Sequence, residues 1–172
     1  MVFVLASGHG NKATQECPCG FATDPARECR CTPQQVARYR SRLSGPLRDR
    51  LDLTVDVPAL PPDVLGALGR TTAAESSVTV RERVVSARER QSVRSSSDGL
   101  RTNAELTPAL MARHCATDAA GRRLLESAVT RLTLTARAYD RVHKVAWTIA
   151  DLDGGDHVHA DHIAEALQFR ML

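Results

Sequence analysis

Aromatic side chains are nearly missing from this sequence of 172 residues: Phe, Tyr and Trp together make up 3% of it. Any core must therefore rest on Leu, Val, Ile and Ala, and so few rings offer few stacking platforms for single-stranded nucleic acid. Lysine is almost absent as well. Of the 23 cationic residues, only Lys12 and Lys144 are not arginine. No run approaches the ~20 apolar residues of a membrane helix, so no membrane partner is expected. The opening Met1–Ala6 is too short for the apolar region of a signal peptide and carries no basic leader. Without an export signal, the five cysteines are expected as reduced thiols or metal ligands rather than a disulfide frame, and the expected location is cytoplasmic.

What is present is a balance suited to folding, with 42% hydrophobic and 25% charged residues. The length allows one ordinary domain or two small ones. The net charge of +3 is modest. Guanidinium forks suit phosphate and carboxylate partners, but most of these arginines read as solvated helix faces, so the charge gives only a weak indication of nucleic acid.

The spacing predicts short strands and helices first, then helices alone. Met1–Ala6 reads as a short buried strand and 7–16 as a polar stretch. Thr32, Pro33 and Gln35 form a helix start, with a threonine cap, a proline at the first position and a glutamine reaching back. That helix should run to about Leu43 and bury Val36, Tyr39 and Leu43. Leu51, Leu53, Val55 and Val57 alternate with polar residues, the period of a half-buried strand. A short helix is expected over Asp63–Leu68 and a charged one from Ser77 to about Gln91, with Val80, Val84 and Ala87 on one side. The serine-rich 92–103 reads as a flexible linker. Helices are then expected from Thr107–Pro108 to near Cys115, and from Thr117–Asp118 with Leu124, Leu125, Ala128 and Leu132 inward. A longer one follows Thr135, carrying Ala138, Val142, Val145, Ala146 and Ile149. The last spans Ala160 to Arg170, with Ile163, Ala164 and Leu167 inward.

Cys17, Cys19, Cys29 and Cys31 form a C-x-C-x9-C-x-C pattern. Four thiolates can close a tetrahedral structural zinc site; the tight C-x-C spacing leaves paired free thiols as the other reading. Cys115, inside a helix, reads as a small buried hydrophobe. His157, His159 and His162, among Asp153, Asp156 and Asp161, match no zinc signature and read as a solvated turn before a helix.

Three blocks in order resemble the magnesium-chelatase-like AAA+ ATPases of the ComM (competence protein) type. The first is Cys17-Pro18-Cys19-Gly20 with Glu28-Cys29-Arg30-Cys31-Thr32-Pro33. The second is Ser41-Arg42-Leu43-Ser44-Gly45-Pro46-Leu47-Arg48-Asp49-Arg50-Leu51-Asp52-Leu53. The third is Thr135-Ala136-Arg137-Ala138-Tyr139, then Thr148 to Leu152 and Ile163 to Arg170. No Gly-rich loop ending in Gly-Lys-Ser/Thr is present, and no apolar strand ends in paired carboxylates for magnesium. The family carries those parts upstream, so the chain reads as a C-terminal portion. Where the family has an Asn-Pro pair before the first cysteine, this chain has Gln15 and Glu16, a departure at a position likened to a water-orienting sensor.

The resemblance implies an α+β fragment. Residues 1–60 would form the tail of the AAA+ α/β core with a Cys-rich loop, 61–106 a connecting helix and linker, and 107–172 an all-α lid. It implies a hexameric ring that uses ATP and Mg2+ to move DNA in branch migration during natural transformation, with this chain alone holding neither ATP nor Mg2+. Arg50 would be the arginine finger acting in trans, stabilising charge at the γ-phosphate; by itself it reads as a surface arginine pairing with Asp49 or Asp52. Arg137 would be the second sensor for ATP and Arg141, one turn on, its support. The alternative is an Arg-rich, zinc-stabilised module that binds nucleic acid or protein and has no ATPase activity.

Overall fold

The computed structural model describes residues 2–7, 10–22, 24, 27–48, 51–57 and 75–170. The chain divides into two compact units, 1–72 and 73–171. No described helix is long and apolar enough to cross a membrane.

The first unit holds a three-stranded antiparallel sheet of order β2-β1-β3, from β1 (Val2–Ser7), β2 (Gly10–Gln15) and β3 (Leu53–Val57). Ser7 pairs with Gly10 and Val2 with Gln15 on one side of β1; Val2 pairs with Val57 and Ala6 with Leu53 on the other. β2 falls in the stretch read from the sequence only as polar. Its sequence, Gly-Asn-Lys-Ala-Thr-Gln, has no apolar alternation; it sits at the sheet edge and pairs by its backbone with β1.

α1 (Pro33–Arg40) begins as expected, with a reciprocal cap: Gln35 N donates to Thr32 Oγ1 at 3.2 Å and Thr32 N to Gln35 Oε1 at 2.9 Å. It stops at Arg40, three residues early, since Arg42 N bonds to Tyr39 O and Leu43 N to Arg40 O in tighter turns. Val36, Tyr39 and Leu43 are half-buried rather than buried. A single turn, α2 (Gly45–Arg48), follows. The helix expected at Asp63–Leu68 lies outside the described residues.

The second unit is helical: α3 (Ser77–Arg94), α4 (Pro108–His114), α5 (Ala119–Leu132), α6 (Ala136–Leu152) and α7 (Ala160–Gln168). Ser76, Thr107, Asp118 and Thr135 cap the first four through side-chain oxygens. The core gathers Leu106, Met111, Leu125, Val142, Trp147, Val158 and Ile163 around α6. A bridge between Thr117 and Val158 ties the entry of α5 to the entry of α7. The inner face of α7 is Ile163, Ala166 and Leu167; Ala164 is exposed, one step off that stripe. Leu132 is exposed at the end of α5, and Leu124 and Val145 are half-buried. On α3, Val80 and Val84 face solvent, and burial falls on Ala87 and Gln91 instead.

The serine-rich stretch 92–103 is no flexible linker. Two short 3-10 turns, Ser96–Asp98 and Asn103–Glu105, lay it onto the bundle with Ser95 and Asn103 buried. Gly99, at φ 71°, supplies the left-handed position that closes the first turn.

Candidate functional site

The chain between β2 and α1 builds the site. Gly20 N donates to Cys17 O at 3.1 Å and Gly20 sits at φ 84°, so Cys17-Pro18-Cys19-Gly20 folds into a knuckle that brings two thiols together. Cys29 and Cys31 return to the same place just before the α1 cap. The Sγ atoms lie 3.3 Å apart for Cys17 and Cys19, 3.6 Å for Cys19 and Cys29, and 3.7 Å for Cys17 and Cys29. All four lie within 4.8 Å of one another.

These separations exclude a disulfide and fit a set of metal ligands. A disulfide needs about 2.05 Å, and all five cysteines are free thiols. A tetrahedron of sulfurs at the Zn–S length of about 2.3 Å has edges of about 3.8 Å, which the three separations among Cys17, Cys19 and Cys29 approach. The first C-x-C pair, Cys17 and Cys19, is accommodated by the left-handed turn at Gly20. The four cysteines thus form a cluster that could hold a metal ion such as zinc.

The electrostatics agree with the geometry. A hydrogen bond from the Phe21 backbone, helped by Cys17, lowers the Cys19 thiol to about 6. Cys29 receives a lowering bond from the Cys31 backbone, yet desolvation and the neighbouring Cys19 and Cys17 push it up to about 12. Cys31 is likewise raised, its backbone bond outweighed by Cys19 and burial. Crowded thiols can hold little negative charge among them without a cation to share it.

Gly20→Ala is expected to lower zinc affinity about 5–30-fold, because a Cβ in the left-handed region costs about 1–2 kcal/mol and would meet Gln15 Oε1 at 2.8 Å. A competition titration against a chromophoric chelator checks this; unchanged affinity would show that the turn does not shape the site.

The other predicted residues fare differently. Arg50 lies outside the described residues. Arg137 is exposed in the first turn of α6, just after its Thr135 cap, and makes no ion pair among the described residues. Arg141 is half-buried one turn further on. The histidines do not assemble a metal site: His159 Nδ1 meets Asp118 Oδ2 at 2.8 Å, and His162 Nε2 meets Asp153 Oδ2 at 3.3 Å. His159 N donates to His162 Nδ1, which caps α7. Among the described residues only the cysteines bring three or more ligands together. Cys115 is buried as expected, and burial pushes its thiol up to about 12.

Sequence reasoning missed a buried polar cluster in the second unit. Asp151 accepts hydrogen bonds from Asn103 Nδ2 at 2.8 Å, from Gln91 Nε2 at 3.1 Å and from both terminal nitrogens of Arg94. Arg94 lies 4.2 Å from the centre of the Trp147 ring. The partners come from α3, the 92–103 stretch and α6. The available signal was Asp151 itself, a carboxylate inside the apolar stripe of a helix.

Comparison with known proteins agrees with this architecture. The pattern described as magnesium chelatase, subunit ChlI C-terminal, matches residues 74–170, and that of magnesium chelatase, subunit ChlI, matches 11–65. The chain is 41% identical to the protein YifB of Escherichia coli K12 over 144 residues, and 41% identical to the competence protein ComM of Haemophilus influenzae over 143 residues. It is 39% identical to a Mycobacterium bovis protein over 158 residues. These alignments cover 83%, 83% and 92% of this chain, but 27%, 27% and 30% of those relatives, so the chain spans less than a third of their length. With the ChlI C-terminal pattern running from before α3 to the end of α7, the chain belongs to the magnesium chelatase ChlI-like family that includes YifB and ComM.

Proposed function

We propose that the chain is the C-terminal portion of an AAA+ ATPase of the ComM type, which acts as a ring on DNA. In this reading it supplies arginines to a triphosphate held by another segment: Arg50 reaches into the neighbouring subunit's site and Arg137 serves its own, with Arg141 in support. Zinc in the Cys17, Cys19, Cys29 and Cys31 cluster is structural, since four protein thiolates leave no open position for substrate.

The observation that carries this reading is Arg137. It stands exposed on the first turn of α6, where unpaired backbone N–H groups and the positive end of the helix dipole favour an anion. A guanidinium there adds a fork that matches phosphate oxygens. Nothing in the sequence itself supplies a phosphate cradle or a magnesium carboxylate pair, so ATP and Mg2+ would be gripped elsewhere.

The test compares two samples. The chain alone, given Mg-ATP, is expected to show no turnover. Joined to the preceding two thirds of a ComM relative, it is expected to hydrolyse ATP, with Arg50→Ala lowering kcat by about 10³-fold or more and Arg137→Ala also lowering it. Turnover by the chain alone would overturn the reading, as would a fused enzyme indifferent to both substitutions.

A further inference from the structure

Beside the cysteine cluster lies an open groove of about 620 Å3 with Arg30, Gln35, Arg38, Tyr39 and Arg42 in its walls and no carboxylate among the described lining residues. We propose that this groove binds the sugar-phosphate backbone of a nucleic-acid strand.

The arrangement of cations is selective. Arg40 is tied down: its Nη2 meets Glu16 Oε2 at 2.6 Å. Gln35, Arg38, Tyr39 and Arg42 recur at three- and four-residue steps on another face, and Arg38 and Arg42 are exposed with no carboxylate partner among the described residues. Like charges lining one groove repel, and an anion between them reverses that cost. The Arg42 guanidinium lies 5.6 Å from the centre of the Tyr39 ring, which holds it over the groove. Arg30 is set between Cys29 and Cys31, so the metal ligands on either side fix its backbone.

Three delocalised forks on an open surface match successive phosphates better than one compact anion. A free nucleotide would need a slot for its base, and the one ring in the groove is already covered by Arg42. With so few aromatics, recognition falls on phosphates rather than on base stacking, so binding should be insensitive to sequence and steeply dependent on salt. An acidic peptide offers similar charge; the choice of nucleic acid rests on the DNA-acting reading proposed above.

The experiment uses the full zinc-loaded chain and a short fluorescent oligonucleotide of mixed sequence, with anisotropy followed between about 50 and 200 mM salt. Arg38→Gln with Arg42→Gln is expected to weaken binding at low salt at least tenfold and to flatten the log–log salt slope by about 1.4–1.8, the share of two phosphate contacts. Arg40→Gln should stay within twofold of the parent. Equal zinc content in parent and variants shows that the site is intact, and ATP at matched phosphate concentration should compete poorly. The proposal falls if the double variant keeps the parent's slope, if the chain binds no oligonucleotide, or if polyglutamate or ATP displaces the strand at equal charge. Those failures leave the Arg50 and Arg137 dependence of ATP turnover untouched, so the two readings fail separately.

Discussion

Asp151→Ala is expected to destabilise the helical unit by about 3–5 kcal/mol, the usual cost of removing one partner from a buried ion pair. The Asp151 side chain is fully buried and that of Arg94 is 18% exposed. Without the carboxylate, Arg94 keeps its place against Trp147 but loses its counter-charge, and Gln91 and Asn103 each lose an acceptor. Asn103 retains Thr148 Oγ1 at 3.1 Å, so part of the network survives. For a unit of this size the loss corresponds to a fall in Tm of at least about 12 °C. Trp147 is the chain's sole tryptophan and lies in this core, so its emission reports the transition directly. Arg94→Met with Asp151→Leu should recover most of the loss, because an apolar pair leaves no uncompensated charge. A single-variant loss below about 1 kcal/mol would mean that water already reaches the pair and that the cluster does not hold the bundle together.

The position of that cluster has a bearing on the proposed sensor. Asp151 and Arg137 lie near opposite ends of α6, about 21 Å apart at 1.5 Å per residue. Through Arg94 and Gln91 the cluster clamps the far end of α6 to α3, and Lys144 Nζ adds a bond to Ala104 O at 3.0 Å midway. The clamp thus helps set the direction of the helix that carries Arg137. The sequence pattern marks Arg137 and says nothing of the clamp.

Local chemistry was legible and partnered chemistry was not. The helix starts at Thr32, Ser76, Thr107, Asp118 and Thr135 follow from a side-chain oxygen reaching a backbone N–H three residues ahead, which a short window of sequence contains. β2 has no such signal, since its stability comes from a strand that precedes it. Residues 92–103 look like a linker because serine is common in linkers; their order depends on Asp151, whose contact with Asn103 spans 48 positions. The cysteine spacing marked the four residues that cluster but not their geometry, in which the left-handed backbone at Gly20 brings Cys17 and Cys19 together. Spacing puts Val80, Val84 and Ala87 on one side of α3, yet it cannot tell which part of a long helix finds a partner: of the three only Ala87 is buried.

Stripping the metal from the zinc-loaded chain is expected to unfold the segment around the cysteines. Among the first-unit residues whose burial is described, 15–22, 24, 27–46, 51–55 and 57, only Cys17 and Leu51 are buried, and α1 buries none of its own. Structural zinc contributes about 10–16 kcal/mol, against the about 5–15 kcal/mol that holds an ordinary domain. Hydrogen exchange at the amides of 32–43 should accelerate after chelation, while Trp147 emission serves as the separate readout of the helical unit. Acid should act in the same direction. Metal-bound thiols are thiolates, so the free site, where Cys29 is pushed up to about 12 and Cys31 is raised, must shed protons to bind. The metal's contribution is therefore present at higher pH and lost as pH falls, by up to about tenfold in affinity per pH unit for each thiol still protonated in the free site. Cys17→Ser with Cys29→Ser should reproduce the chelated state at any pH. If exchange at 32–43 is equally slow in the loaded, stripped and double-variant chains, the fold of this region owes nothing to a metal, and Arg30 is held by something other than its flanking cysteines.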